Sequence, residues 1–246
     1  MRLLTILFLL ISVPASAQEE VVSKANHKVK GWVRKMHVFK HMVWQDADTL
    51  KYVEKRIDEM LYFNDNRQII KSCSVPTEKT DTVFAYWEYS EDGDLLSVKP
   101  DKGIGKYHFI NCYKHENGKL KEDSLIYYIG KRKKSIITYY EYYMDSSEQF
   151  TLDTLGAKES RHVFVYDDKD NVIQRKWYVH SKLAFNQHFE YDMFNNVVEC
   201  KSYKGDVVDD VYTYEYEYDE HHNFTKRTEY KNKNIYSITE REIEYQ

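Results

Sequence analysis

Tyr212, Tyr214 and Tyr216 stand at every second position of VYTYEYEYDEHHNFTKRTEY, and Tyr166, Tyr191 and Trp177 occupy related places upstream. Aromatic rings in a row can stack on sugar rings or flank an extended peptide, so these residues are the candidate binding set. Carboxylates come next. Glu215, Glu217, Glu240 and Glu242 alternate in the same region, and glycoside hydrolysis needs an acid pair roughly 5 to 9 Å apart. Alternate glutamates on any strand edge meet that distance, so the spacing alone does not select a hydrolase. His221 and His222 are adjacent, but zinc takes three or four ligands, and no second cluster has ligand spacing. His37 and His41 share a face on a helix, yet lie about 13 Å apart on a strand. Cys112 with His108 or His115 has the residue types of a nucleophile and base, without a thiol-enzyme motif around them. Asp167, Asp168 and Asp170, and Glu91, Asp92 and Asp94, lack EF-hand spacing and suit turns. There is no phosphate loop, dinucleotide fingerprint or GxSxG. No catalytic residue, metal ligand or cofactor is therefore assigned.

A period of two puts the tyrosines on one face of a β-strand, with Thr213, Glu215 and Glu217 on the other. Tyrosine also favours strands. The strand stops at Asp219 and alternation resumes at Phe224, which leaves room only for a tight connection and so predicts a hairpin. The layout recurs: YDDKDNVI begins at Tyr166, YDMFNNVV at Tyr191 and YDEHHNFT at Tyr218, and the chain ends on EIEYQ with Tyr245. Weaker copies start at Phe63, Tyr89 and Lys114, with a further one near Tyr143. The fourth residue after each anchor is Gly93, Gly118, Asp170, Asn195 or His222, with Arg67 the exception. Most are types that tolerate the left-handed backbone region, as a three-residue hairpin loop demands. That loop sets Tyr218 against Phe224, Tyr216 against Lys226, Tyr214 against Thr228 and Glu215 against Arg227.

The tandem unit YDxxxN, repeated every 25 to 27 residues, resembles the YD repeats of the RHS (rearrangement hotspot) family. The resemblance covers roughly residues 160 to 246, and more faintly 60 to 160. It implies β-hairpins joined into one long sheet, which in large members coils into a hollow shell. With so few repeats the expected fold is all-β: tandem hairpins forming one curved antiparallel meander sheet, open or partly rolled. DTLKYVEKRIDEML, from Asp48, carries apolar residues at helical spacing behind an N-cap, but the repeat logic and the flanking β-branched and aromatic residues select strands. An outer-membrane barrel needs charge-free lipid-facing bands and commonly ends on an aromatic residue. Here both faces carry charge and the last residue is Gln246, so that reading is set aside.

The N-terminus, MRLLTILFLLISVPASA, has one arginine, an apolar run and Ala15 and Ala17 spaced for signal peptidase. Residues 1–17 read as a signal peptide and 18–246 as one hairpin-repeat domain. No further apolar stretch reaches the ~18 residues of a helical span. The formal charge is −4, without the clustered base that nucleic acid requires. Cys73, Cys112 and Cys200 leave at least one thiol unpaired in a monomer. The expectation is a periplasmic or secreted, non-enzymatic scaffold or binding protein, with a glycan or protein of the cell envelope as partner. The alternative is a carboxylate hydrolase acting on an envelope or extracellular polymer.

Overall fold

The computed structural model describes residues 29–46, 49–74, 83–101, 107–129, 132–152 and 155–246; the signal-peptide segment lies outside them. The strands are β1 (Val33–Asp46), β2 (Thr49–Phe63), β3 (Ile69–Ser74), β4 (Val83–Tyr89), β5 (Leu95–Pro100) and β6 (Tyr107–Glu116). They continue as β7 (Lys119–Ile129), β8 (Arg132–Tyr142), β9 (Ser146–Leu152), β10 (Lys158–Tyr166) and β11 (Val172–Val179). The last five are β12 (Lys182–Tyr191), β13 (Val197–Lys204), β14 (Val207–Tyr218), β15 (Phe224–Lys231) and β16 (Asn234–Tyr245). Every strand pairs antiparallel with its sequence neighbour, and β1 pairs with β16, so the 16 strands close into a barrel. The all-β meander is as expected; the open or partly rolled sheet is not. The segment with helical spacing is strand from Thr49 on, as the repeat logic required; Asp48 itself lies outside the described residues.

The repeat is a turn device. Arg67, Gly93, Asp170, Asn195 and His222 all have positive φ, between 59° and 90°. In the last full repeat the Asp219 carboxylate accepts the backbone N–H groups of His221 (3.0 Å) and Asn223 (2.8 Å). Asp192 does the same for Phe194 and Asn196, and Asp167 for Lys169 and Asn171. The aspartate after each tyrosine thus satisfies the loop's N–H groups, which is why YD recurs. These turns form one rim of the barrel. At the other rim His180–Ser181 and Asn232–Lys233, both residues at positive φ, make two-residue connections.

One register expectation is corrected. Tyr218 does face Phe224, but a bulge at Thr225 shifts every pair further from the turn, so that Tyr216 faces Arg227, Tyr214 faces Glu229, Tyr212 faces Lys231 and Glu215 faces Thr228. The same irregularity accompanies the turns at Tyr62/Phe63, Glu88/Tyr89, Val165/Tyr166 and Glu190/Tyr191. A left-handed residue closing the turn brings a bulge with it.

Alternation then sorts the two faces. On β16, Ser237, Thr239 and Arg241 are at most 5% exposed, while the side chains of Glu240 and Glu242 are 52% and 78% exposed. Side chains on a concave surface converge and those on a convex one splay, so the first set faces the lumen. Both buried apolar clusters are built from contiguous strands: Phe164, Phe189, Val197 and Tyr214 in one, Val33, Met36, Leu61 and Phe63 in the other. The apolar core is therefore a layer along the inner wall. Closure is secured where Asn223 exchanges hydrogen bonds with the backbone of Lys30 (2.6 and 2.8 Å) and where Gln246 N–H donates to the Trp32 carbonyl (2.8 Å).

Candidate functional site: the lumen wall

The register sets Tyr212, Tyr214, Tyr216 and Tyr218 on the inner face, and Cys200, which pairs with Tyr212, packs with Tyr166 and Tyr191 in the same cluster. Trp177 lies inside as well, paired with His162 and stacked on its imidazole at 5.7 Å. All the candidate binding residues thus fall on one face, but it is the lumen face, and their polar tips have partners. Tyr191 donates to the Val172 carbonyl and Tyr216 to that of Val197, both at 2.8 Å; Tyr166 bonds the Ser147 hydroxyl, and Trp177 Nε1–H donates to Ser160 at 2.9 Å. Tyr218 and Tyr245 reach back to Asp192 and Asp219 in the preceding turns. The tyrosines tie each hairpin to the one before it.

Interleaved with the tyrosines, the same wall carries polar side chains. Arg175, Arg227, Arg241, Gln187 and Glu229 are all buried. The Arg241 guanidinium lies 3.5 Å from the centre of the Phe224 ring, and Arg227 lies 5.7 Å from that of Tyr214. Cation–π contact and a planar, weakly hydrated head make arginine the cation suited to such packing. Arg175 places Nε and Nη2 at 3.1 and 2.7 Å from His162 Nδ1. Guanidinium nitrogens only donate, so Nδ1 must accept and the imidazole is neutral with its proton on Nε2. Ser237 donates to Glu229 at 2.8 Å, and Arg227 Nη2 lies 3.4 Å from the Thr239 hydroxyl. Sequence reading missed these arginines: it set Arg227 against Glu215, on the face opposite the tyrosines, and gave Arg175 and Arg241 no place. Their signal was positional: Arg175 and Arg227 each stand nine places after a repeat tyrosine.

The hydrolytic reading finds no acid pair. Glu217 is bound by Lys226 (2.7 Å) and Glu215 accepts from Tyr230 (2.7 Å). Glu240 and Glu242 face His41 and His37 across the closing seam, at 3.6 and 3.9 Å. All four lie on the convex face. His221 stacks on Tyr245 and His222 on Phe194, and no group of three metal-ligating side chains occurs among the described residues. No helix among them is long and apolar enough to cross a membrane, a statement that does not bear on strands.

A barrel of 16 strands is wider than side chains can fill, and barrels of this size enclose water. No family model and no curated protein matches the sequence. Among solved structures the chain is similar to a porin-like protein from Bacteroides uniformis, at 11% identity and TM-score 0.56, covering 88% of this chain and 99% of that one. A porin-like protein from Bacteroides vulgatus gives 10% identity and TM-score 0.49 with the same coverage. A partial likeness to the Photorhabdus luminescens Tc holotoxin pore covers 15% of that chain, with a TM-score of 0.22, and carries no weight. The resemblance to the RHS family is corrected accordingly: the chain closes on itself after 16 strands, in a fold shared along its length with the Bacteroides uniformis protein. The scaffold with an open tyrosine face for glycan or peptide is overturned because that face lines the barrel, and the hydrolase alternative falls with the scattered glutamates. A free periplasmic or secreted location rested on a sheet without membrane-crossing strands. The closed barrel, a fold shared with the Bacteroides uniformis protein, removes that basis.

Proposed function

We propose that the protein is an outer-membrane β-barrel that conducts small polar solutes through its lumen. The observation that carries the reading is closure of 16 strands around an inner wall that carries arginine, glutamate and glutamine among its aromatic side chains. Water-filled barrels of this strand number have polar interiors. The porin-like character of the Bacteroides uniformis protein supports it. The convex face sets the condition for insertion. A lone lysine or arginine costs about 2 to 4 kcal/mol at the bilayer midplane and about 0 to 1 near its surfaces. Some of the outward charges are paired: Lys226 with Glu217, and Glu148 with Lys158 (2.8 Å) and Arg161 (3.2 Å). Pairing lowers the cost, and placing the pairs near the headgroups lowers it further.

The test has two parts. After export the protein should sediment with outer membranes and resist extraction by carbonate, and the purified protein should give stepwise conductance in planar bilayers. Recovery of all the protein in the soluble fraction, with no current, overturns the reading.

A further inference from the structure

One row of the convex face is built from two residue types. Met36 and Leu61 are buried in the inner-wall cluster, so Lys35 and Tyr62, one place along each strand, point outward. From there the pairings run Lys35–Tyr62, Tyr62–Lys71, Lys71–Tyr86 and Tyr86–Lys99, across β1 to β5. With strands about 4.8 Å apart, a lysine recurs roughly every 10 Å with a tyrosine between. Lys71 Nζ lies 5.5 and 5.7 Å from the centres of the Tyr62 and Tyr86 rings and 4.0 Å from that of Phe84, and Lys35 Nζ lies 5.9 Å from that of Tyr62. The rings hold these ammonium groups by cation–π contact. Carboxylates neutralise the row only in part. Lys99 is bound by Glu88 at 2.6 Å, and Lys35 faces Glu244, which Arg34 shares at 3.5 Å, whereas both cross-strand partners of Lys71 are tyrosines. The next outward row, farther from the turn between β2 and β3, is apolar: Met60, Cys73 and Phe84 pair in turn, with Cys73 fully buried between the other two. In the last two full repeats the position of Tyr62, just before the anchor, is Glu190 or Glu217, so the basic row belongs to this sector.

We propose that this sector binds anionic phospholipids, with the phosphate among the ammonium and phenol groups of the row and an acyl chain along Met60 and Phe84. The inference rests on the outer-membrane reading and gives the convex face a specific lipid partner. An outward lysine is costly at the bilayer midplane and nearly free at its surface, and its stem can lie on carbon while the ammonium reaches the headgroups. Tyrosine suits the same depth, with its ring in the apolar layer and its hydroxyl in the polar one. Ammonium and phenol both donate to phosphate oxygens. The apolar row beside the basic one selects a lipid over a soluble anion or an acidic peptide, neither of which has a chain to lay there.

The probe is dioctanoyl phosphatidylglycerol, titrated into the full chain in non-ionic detergent and counted by mass spectrometry of the intact complex. Saturable binding is expected, with dioctanoyl phosphatidylcholine, which has the same chains and no net charge, about tenfold weaker. Glycerol phosphate, the head without chains, should also be weaker by about tenfold or more. Lys71→Gln should lower the affinity for phosphatidylglycerol about tenfold and leave that for phosphatidylcholine unaltered. Lys226→Gln, on another sector of the convex face, should change neither, with circular dichroism showing that both variants fold. Equal affinity for the two lipids, or an unaltered affinity in Lys71→Gln, overturns the proposal. Glycerol phosphate binding as tightly as the lipid would make the row a site for free phosphate, and tighter binding of tetraglutamate would make it a site for an acidic segment; either result rejects the lipid. Selective, Lys71-dependent binding without bilayer conductance would leave the lipid site standing and reject the channel; conductance without lipid selectivity does the reverse.

Discussion

At the scale of single residues, the repeat is a solution to one backbone problem. Each turn needs a residue at positive φ and an acceptor for the N–H groups the loop leaves over. His222 meets the first need at φ 59° and Asp219 the second. His222→Gly should be neutral or slightly stabilising in urea unfolding. His222→Val should lose about 1 to 2 kcal/mol, because a β-branched side chain resists that region. Equal stability of the two variants would reject the turn. Asp167 gives a pH-dependent version. Desolvation pushes its carboxyl up, but backbone and side-chain hydrogen bonds from Asn171 and the Lys169 N–H outweigh this and hold it below the ordinary carboxylate range. A depressed folded-state value stabilises above the unfolded carboxylate's pKa, and the gain disappears as pH falls through the folded value. Wild type should therefore lose stability on acidification more steeply than Asp167→Asn. Parallel acid-unfolding curves would show that the hydrogen bonds do not favour the anion.

At the scale of the hairpin, the bulge decides which side chains meet. Alternation in the sequence located β14 and β15 correctly, because side-chain period and strand propensity are local properties. The cross-strand partners were misjudged because Thr225 adds one residue that no pattern of apolar positions reveals. The consequence is chemical as well as geometric. Without the bulge Arg227 would pair with Glu215 on the convex face; with it, Arg227 turns inward against Tyr216 and Tyr214. The tyrosine row was legible in the sequence as a ladder, but the side of the sheet it faces was not, since an open and a closed sheet alternate identically. The contacts set its energetics. Tyr214 is 5% exposed within the wall cluster, so Tyr214→Ala should cost about 3 kcal/mol or more, in the range of buried aromatic truncations. Tyr216→Phe removes only the bond to the Val197 carbonyl and should cost about 1 kcal/mol. If Tyr214→Ala were as mild as Tyr216→Phe, the ring would not be packed in the wall.

At the scale of the whole molecule, the decisive event is the pairing of the first strand with the last. It was not legible in sequence because its partners are some two hundred residues apart and share no turn that could announce the pairing. The register nevertheless makes it testable. Met36 faces Ile243 directly, and Met36 is fully buried. Paired Cα atoms in an antiparallel ladder lie about 4.5 to 5.5 Å apart, and disulfides span about 4.4 to 6.8 Å. In a Cys112→Ser background, which leaves Cys73 and Cys200 buried, Met36→Cys with Ile243→Cys should oxidise to an intrachain bond that shifts mobility on a non-reducing gel. A loop of that length restricts the unfolded chain strongly, so the oxidised form should gain up to ~4 kcal/mol over the reduced one. The shifted pair Met36→Cys with Glu242→Cys puts its thiols on opposite faces and should not close. An open sheet separates both pairs by the width of the whole sheet, and neither would then oxidise within one chain. Failure of the Met36–Ile243 pair alone, in a variant that still folds, would remove the closed barrel and the enclosed lumen with it.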